Sequence, residues 1–338
     1  MKGTTMDADN RYIHAYQGQT VLVTGGSGAI GSNLCRALTT LGATVVVLDD
    51  LSSADPGALA GLPNCLLHEG SVLDHEALNA VFFRRPRIVF HLAALFANQK
   101  SVEHPEKDLM VNALGTLRVL QLAQVAGVDR VVYASSSSLL RQVNGQPIDE
   151  EGVSFDLHTP YQVTKLVGEL YCNYFKNHYG SKIARVRFFN SYGPGEIPGR
   201  YRNVIPNFIY TALQRQPLRI TGTGKETRDW TYVGDIVDGL LRVGVMDAAV
   251  GGVFNLATGR ETPVLDIATW INEITGNTAG LIHTERRDWD SHSRRWANID
   301  RARRLLGYEP QTDVYKGLEK TVAWFSENWA QIQARVQF

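Results

Sequence analysis

The chain has 338 residues, 44% of them hydrophobic, enough apolar material to bury the core of one large domain or two closely associated ones. Lysine plus arginine and aspartate plus glutamate balance at 34 each, so no net field draws the protein to nucleic acid or to an anionic membrane, and anionic ligands must be held by local groups. The polar stretch from Met1 to Gly18 lacks the apolar run of a signal peptide and no later run reaches membrane-spanning length, which predicts a cytoplasmic protein. That stretch reads as a frayed tail or an arm packed on the surface. Cys35, Cys65 and Cys172 are widely separated and form no CxxC pair, so buried thiols in a reducing compartment are expected, without a disulfide or metal framework.

The first predicted element is a β-branched strand at Val21, Leu22 and Val23, followed by a glycine-rich turn and an apolar-periodic helix through Leu34 and Leu38. Further strands are expected at Thr44 to Leu48, Asn64 to His68, Arg87 to His91 and Arg130 to Ala134, with helices at Glu76 to Phe83 and about Asp108 to Ala126. Repeated βα units of this kind predict a parallel sheet covered by helices on both faces. A long helix from Tyr161 towards His178 and a strand at Ile183 to Phe188 continue the pattern, which then weakens. Helices at Ile205 to Leu213, Ile236 to Val245 and Leu265 to Glu273, with short strands at Leu218 to Thr221 and Gly252 to Leu256, predict a smaller C-terminal lobe. The division falls at residues 19–190 and 191–338, with an interleaved boundary because the chain can cross back to the sheet.

Gly25, Gly28 and Gly31 lie directly after the first strand and open the first helix, where bare backbone can approach a pyrophosphate and the helix N-terminus attracts it. A tight turn tolerating glycine would look the same, but an acid stands at the expected distance. Asp49 ends the second strand, where a carboxylate accepts both ribose hydroxyls of NAD and repels the extra phosphate of NADP. NAD is therefore the expected cofactor. Asp50 either shares this work or caps the following turn.

Tyr161 and Lys165 stand four residues apart on one face of a predicted helix and can meet a common substrate atom. A free tyrosine is a poor base at neutral pH, but a neighbouring ammonium and a nicotinamide cation both favour the phenolate. Such a tyrosine can take a hydroxyl proton while hydride leaves for NAD. With Ser135, Ser136, Ser137 and Ser138 closing the preceding strand, a serine, tyrosine and lysine set able to bond one alcohol oxygen is complete.

The glycine motif, Asp49, His91-Leu-Ala-Ala, Tyr-Ala-Ser-Ser-Ser, Tyr161-Gln-Val-Thr-Lys165, Arg187-Phe-Phe-Asn-Ser-Tyr-Gly-Pro and Thr227-Arg-Asp-Trp-Thr-Tyr-Val together resemble the extended short-chain dehydrogenases that act on nucleotide sugars. The resemblance runs from about Thr20 to the C-terminus. It implies an α/β fold, a Rossmann-type doubly wound parallel sheet that carries NAD and the catalytic residues, with a smaller C-terminal α/β lobe for substrate.

By resemblance, Ser136 is the catalytic hydroxyl, Tyr161 the base, and Lys165 binds the nicotinamide ribose and lowers the tyrosine pKa. The implied cofactor set is Gly25, Gly28, Ala29, Ile30, Gly31, Asp49, Ser71, Val72, Ala93 and Lys165. Ser137 and Ser138 become substrate neighbours, Asn190 and Arg228 hold the sugar diphosphate, and Arg286 or Arg287 adds a second contact. A local Arg228–Asp229 ion pair is compatible with that role. Asn112 resembles an asparagine that braces the active-site strand. Three departures stand out: Ser71, with Asp74 three residues on, in place of an aspartate that contacts adenine; Leu139-Leu140-Arg141 in place of Val-Tyr-Gly; and Phe96 in place of a basic or polar residue.

Dehydratases of this family place acidic residues after the catalytic hydroxyl, and decarboxylases carry a glutamate at the position of Ser138, whereas epimerisation needs no third titratable group. The expected activity is therefore an NAD-dependent 4-epimerase of a nucleotide sugar, UDP-linked by resemblance, in a homodimer built on the two long helices. A UDP-glucuronate decarboxylase, another nucleotide-sugar dehydratase or reductase, an epimerase acting at another carbon and a non-catalytic NAD(H)-binding regulator are the alternatives.

Overall fold

In the structure, a computed structural model that describes residues 14–54, 57–141, 145–285 and 294–336, the alternating elements assemble into a seven-stranded parallel sheet. The first part of the chain runs β1 (Thr20–Thr24), α1 (Ala29–Thr40), β2 (Thr44–Asp49), β3 (Cys65–Glu69), α2 (His75–Phe83), β4 (Ile88–His91), α3 (Asn98–Glu103) and α4 (Pro105–Asp108). A π-helical turn over Leu109–Leu114 leads into α5 (Gly115–Val125), β5 (Arg130–Ser136), α6 (Pro160–Tyr179) and β6 (Ile183–Phe188). Then come β7 (Ser191–Tyr192), α7 (Val204–Leu213), β8 (Leu218–Thr221), β9 (Thr227–Arg228), β10 (Thr231–Tyr232), α8 (Val233–Val245) and β11 (Val253–Leu256). The chain continues through β12 (Thr262–Pro263), α9 (Val264–Thr275), β13 (Leu281–Thr284), β14 (Arg294–Arg295), α10 (Asp300–Leu306), α11 (Val314–Glu327) and α12 (Trp329–Arg335).

The sheet order is β11-β6-β5-β4-β1-β2-β3, so the winding direction reverses at β1, which lies between β2 and β4. In such a sheet the crevice outside the carboxyl ends of the strands at the reversal is where ligands bind. Side chains alternate as a strand requires: Val21, Val23, Val45, Val47 and Phe90 join one apolar layer, and Leu22, Val46, Leu48 and Val89 the other. The first layer is closed by α1 and α8 through Leu34, Leu38, Ile236 and Leu240, the second by α2, α5 and α6 through Leu78, Val81, Val119, Leu120 and Phe175.

A third apolar cluster, built on Ile205, Ile209, Ile220, Trp230, Ile267 and Phe325, forms the core of the C-terminal lobe. Its boundary with the sheet is interleaved, because α8 packs on the sheet and β11 pairs in parallel with β6. The N-terminal arm is no frayed tail at its described end. Tyr16 is fully buried and its hydroxyl donates to Leu241 O at 2.7 Å. The helix expected from Asp108 starts earlier, at Pro105, and contains the π-helical turn around Asn112. Among the described residues no helix is long and apolar enough to cross a membrane.

Candidate active site

The turn between β1 and α1 depends on missing side chains. Gly25 sits at φ +73°, and a Cβ there would lie 2.7 Å from Ala93 N, so the turn is pressed against the end of β4. A Cβ on Gly31 would lie 2.2 Å from Gly25 O, which is how α1 comes to rest directly on the turn. At Gly28, the residue before α1, an added Cβ would meet only Gly25 O at 3.4 Å, so this backbone is open to a ligand. Ala29 and Ile30 open a helix whose first turn holds no acid and whose N-terminus has no side-chain cap, leaving its amides to an anion.

Ser27 adds a buried hydroxyl with no hydrogen-bond partner among the described residues, and its amide donates to Asp49 Oδ2 at 2.9 Å. Asp49 Oδ1 accepts from Leu51 N at 2.9 Å. Burial raises the Asp49 pKa and these backbone bonds oppose it. An orphaned hydroxyl, a bare helix N-terminus and a carboxylate at the end of the neighbouring strand fit a dinucleotide, with its diphosphate at α1 and a ribose at Asp49.

Asp50 accepts from Ser52 N at 3.0 Å and from Ser52 Oγ at 2.6 Å, and so caps its turn. Ser71 Oγ accepts from Leu73 N at 3.2 Å, Val72 is buried in the core, and Asp74 caps α2 by accepting from the amides of Glu76 and Ala77. Ala93 is half-buried beside Gly25, its amide donating to Thr24 Oγ1 at 3.3 Å.

Ser136, Tyr161 and Lys165 come from two elements. A capping box of Thr159 and Gln162, with Pro160 in the first turn, starts α6 and places Tyr161 at its mouth. Gln162 Nε2 also donates to Ser138 O at 2.9 Å, tying the helix start to the end of β5. Ser136 hydrogen-bonds the Tyr161 hydroxyl, and Ser136 Oγ also accepts from Ser138 N at 3.1 Å and from Ser138 Oγ at 2.9 Å. Lys165 Nζ donates to Ala134 O at 2.9 Å and lies 5.8 Å from the centre of the Tyr161 ring.

Burial pushes the Lys165 pKa down to about 8, with Asp108 opposing it. Burial pushes Tyr161 up to about 12, the Ser136 bond lowers it and Asp108 raises it further. The lowering expected from Lys165 does not prevail in the protein alone: Tyr161 is only 8% exposed, and Phe96 packs edge-on against it with 6.3 Å between ring centres. Asn112 accepts from Leu95 N at 2.8 Å and donates to Leu95 O at 3.3 Å and Asp108 Oδ1 at 2.7 Å, bracing the segment after β4. Asp108 in turn accepts from Thr164 Oγ1 at 2.6 Å, in the turn of α6 between Tyr161 and Lys165.

Asn190 Nδ2 donates to Asp229 O at 3.2 Å, and Arg228 Nη1 donates to Thr227 O at 2.8 Å. The Asp229 carboxylate accepts from Thr258 Oγ1 at 2.6 Å and from the amides of Thr258, Gly259 and Ala297. Sequence reasoning missed Arg295, which β14 sets in register with Arg228. Arg295 is buried, its pKa is lowered to about 10 by burial and then by Arg228, and its Nη2 donates to Ser137 O and to Leu140 O. It fixes the serine turn. Only the pairing of β9 with β14 brings it there, and no local pattern marks it. Arg286 and Arg287 lie outside the described residues.

The profile of the family described as NAD dependent epimerase/dehydratase matches residues 21–257. A solved epimerase structure from Methanothermobacter thermautotrophicus is 52% identical, covers 99% of each chain and superposes with a TM-score of 0.96. The UDP-glucose 4-epimerase of Mycolicibacterium smegmatis is 34% identical over 90% of this chain and 97% of its own length. UDP-glucuronic acid decarboxylase 1 of Xenopus tropicalis is 30% identical over 93% of this chain and 74% of its own.

Proposed function

The chain belongs to the NAD-dependent epimerase/dehydratase family, and within it we propose a UDP-sugar 4-epimerase that works by transient oxidation to a 4-keto sugar. The observation that carries this reading is the Ser136–Tyr161–Lys165 set, supported by a serine turn whose next two positions, Ser137 and Ser138, bring no acid or base. Elimination of water needs an added acid and base, so this site favours the redox-neutral reaction. The decarboxylase relative makes loss of carbon dioxide the second reading.

When bound, NAD accepts the hydride from the sugar carbon and returns it. Tyr161 takes the proton of the sugar 4-hydroxyl and later gives it back, and Ser136 holds the same oxygen. Lys165 is fixed by Ala134 O, which keeps its ammonium beside Tyr161, where it would hold the nicotinamide ribose. Phe96 and the buried mouth of α6 exclude water from the proton's path. Residues 19–190 are assigned to cofactor and catalysis and 191–338 mainly to substrate, with Asn190 and Arg228 on the diphosphate. Either Arg286 or Arg287 is retained as a second contact.

A homodimer is part of the proposal. Leu109, Met110, Val163, Leu170 and Tyr174, on the π-helical turn and α6, are 43–54% exposed and give these helices an outward apolar face. The test is incubation without added cofactor with UDP-glucose, UDP-N-acetylglucosamine and UDP-glucuronate, products being resolved by NMR. A same-mass epimer is expected. Release of carbon dioxide or water would replace the epimerase reading.

A further inference from the structure

A set of exposed bonds that serves none of the hydrophobic layers links the loop after β2 to the helix after β4. Because β1 lies between β2 and β4, a bridge from the loop after β2 to the helix after β4 must cross the carboxyl end of β1, where the glycine turn begins. Residues 199–203, from the connection between β7 and α7, make that bridge. Arg202 Nη2 donates to Ser53 O in the loop after β2 at 2.5 Å. Arg200 Nη2 donates to Glu103 Oε1 on α3 at 3.1 Å, and Tyr201 OH donates to Glu103 Oε2. Lys100 on α3 reaches back to Ser53 Oγ at 3.4 Å and closes the ring.

The bridge is rooted at both ends. Gly199 N donates to Asn207 Oδ1 at 2.8 Å, and Asn207 Nδ2 returns to Gly199 O at 3.1 Å. Asn203 Nδ2 donates to Glu196 Oε1 at 3.3 Å, a buried carboxyl in the same connection. Just before it, Pro194 O accepts from Asn33 Nδ2 of α1 at 2.9 Å, so the connection rests on the helix whose N-terminus faces the diphosphate.

We propose that residues 199–203 form a clasp that retains NAD between turnovers, with Arg202 on Ser53 and the Arg200–Tyr201 pair on Glu103 as its two latches. The cations Lys100 and Arg202 meeting at Ser53 suit a dianionic diphosphate beneath. Each exposed contact is weak alone, so the latches act together. The purpose of the clasp rests on the redox-neutral reading above, because a keto sugar is stranded if the reduced cofactor leaves.

The test reads cofactor exchange and needs no sugar. Purified holoprotein is loaded with labelled NAD, and loss of label into excess unlabelled NAD is followed by rapid filtration. Arg202→Ala opens one latch, and Glu103→Gln with Tyr201→Phe opens the other. Each is expected to speed exchange a few-fold, and the two together about tenfold. Exchange at the wild-type rate in both variants overturns the clasp, even in a protein that proves to be an epimerase. Faster exchange in either folded variant upholds it, even if the sugar panel returns a decarboxylase.

Discussion

Arg187 and Glu169 form a buried two-pronged ion pair between β6 and α6, with Nε 2.8 Å from Oε1 and Nη2 2.7 Å from Oε2. Ser135 Oγ donates to the same Oε1 at 2.5 Å, and Arg187 Nη1 reaches Glu150 O at 2.5 Å. Although burial raises the Glu169 pKa, Arg187 and Ser135 hold it below the ordinary carboxylate value. The pair ties α6, one turn past Lys165, to β5 and β6, and so fixes the helix that carries Tyr161 and Lys165. Glu169→Ala, which leaves a guanidinium buried and unpaired, is expected to cost about 3–5 kcal/mol in urea unfolding. Replacing both partners by apolar residues of similar volume is expected to recover most of that loss.

Tyr161→Phe keeps the ring against Phe96 and removes only the proton acceptor. Sugar conversion is expected to fall by about 10²–10⁴-fold while bound NAD and thermal stability stay unchanged. Conversion close to that of the wild type would remove Tyr161 from the mechanism.

The Ser136 bond lowers the Tyr161 pKa against a larger rise from burial. Ser136→Ala therefore leaves the phenol still harder to ionise, and the ascending limb of the pH–rate profile, which reports the base, is expected to move to higher pH. A lower rate with an unshifted limb would confine Ser136 to holding the sugar oxygen.

Asp49 is a buried carboxylate, proposed as the group that accepts the cofactor ribose and repels the 2′-phosphate of NADP. Asp49→Asn removes the charge and keeps the size. Titration of the cofactor-free variant is expected to show NAD affinity lowered and NADP affinity raised, each by about tenfold, about 1.4 kcal/mol. Unchanged selectivity would show that another residue discriminates.

His91 bridges the sheet and α5, with Nδ1 2.7 Å from Thr24 Oγ1 and Nε2 2.9 Å from Thr116 Oγ1. Burial, and then Lys165, push its pKa down to about 3. The unfolded chain takes up this proton below about pH 6.5, and the folded chain does not until near its own lower value. His91 thus removes about 1.4 kcal/mol of stability per pH unit as pH falls between those limits. Glu196, whose pKa burial pushes up to about 7, acts in the opposite direction. The His91→Asn variant should therefore show a shallower loss of unfolding free energy between pH 6 and 4 than the wild type, by about that amount per unit.

The sequence by itself determined the features that rest on local periodicity and spacing. The unbroken apolar run Val21, Leu22 and Val23 marks a strand buried on both faces, and Gly25, Gly28 and Gly31 mark the turn after it, in which Gly25 and Gly31 leave no room for a side chain. Four-residue spacing places Tyr161 and Lys165 on one face of α6, and the end of β2 places Asp49 beside the turn. Long-range pairing decided the rest. β11 joins the sheet beside β6, Arg295 meets Arg228 only because β14 pairs with β9, and Glu103 meets Arg200 across 97 residues. The high pKa of Tyr161 was likewise beyond local reading, because desolvation depends on what the whole fold packs over a hydroxyl and not on which residues flank it in the chain.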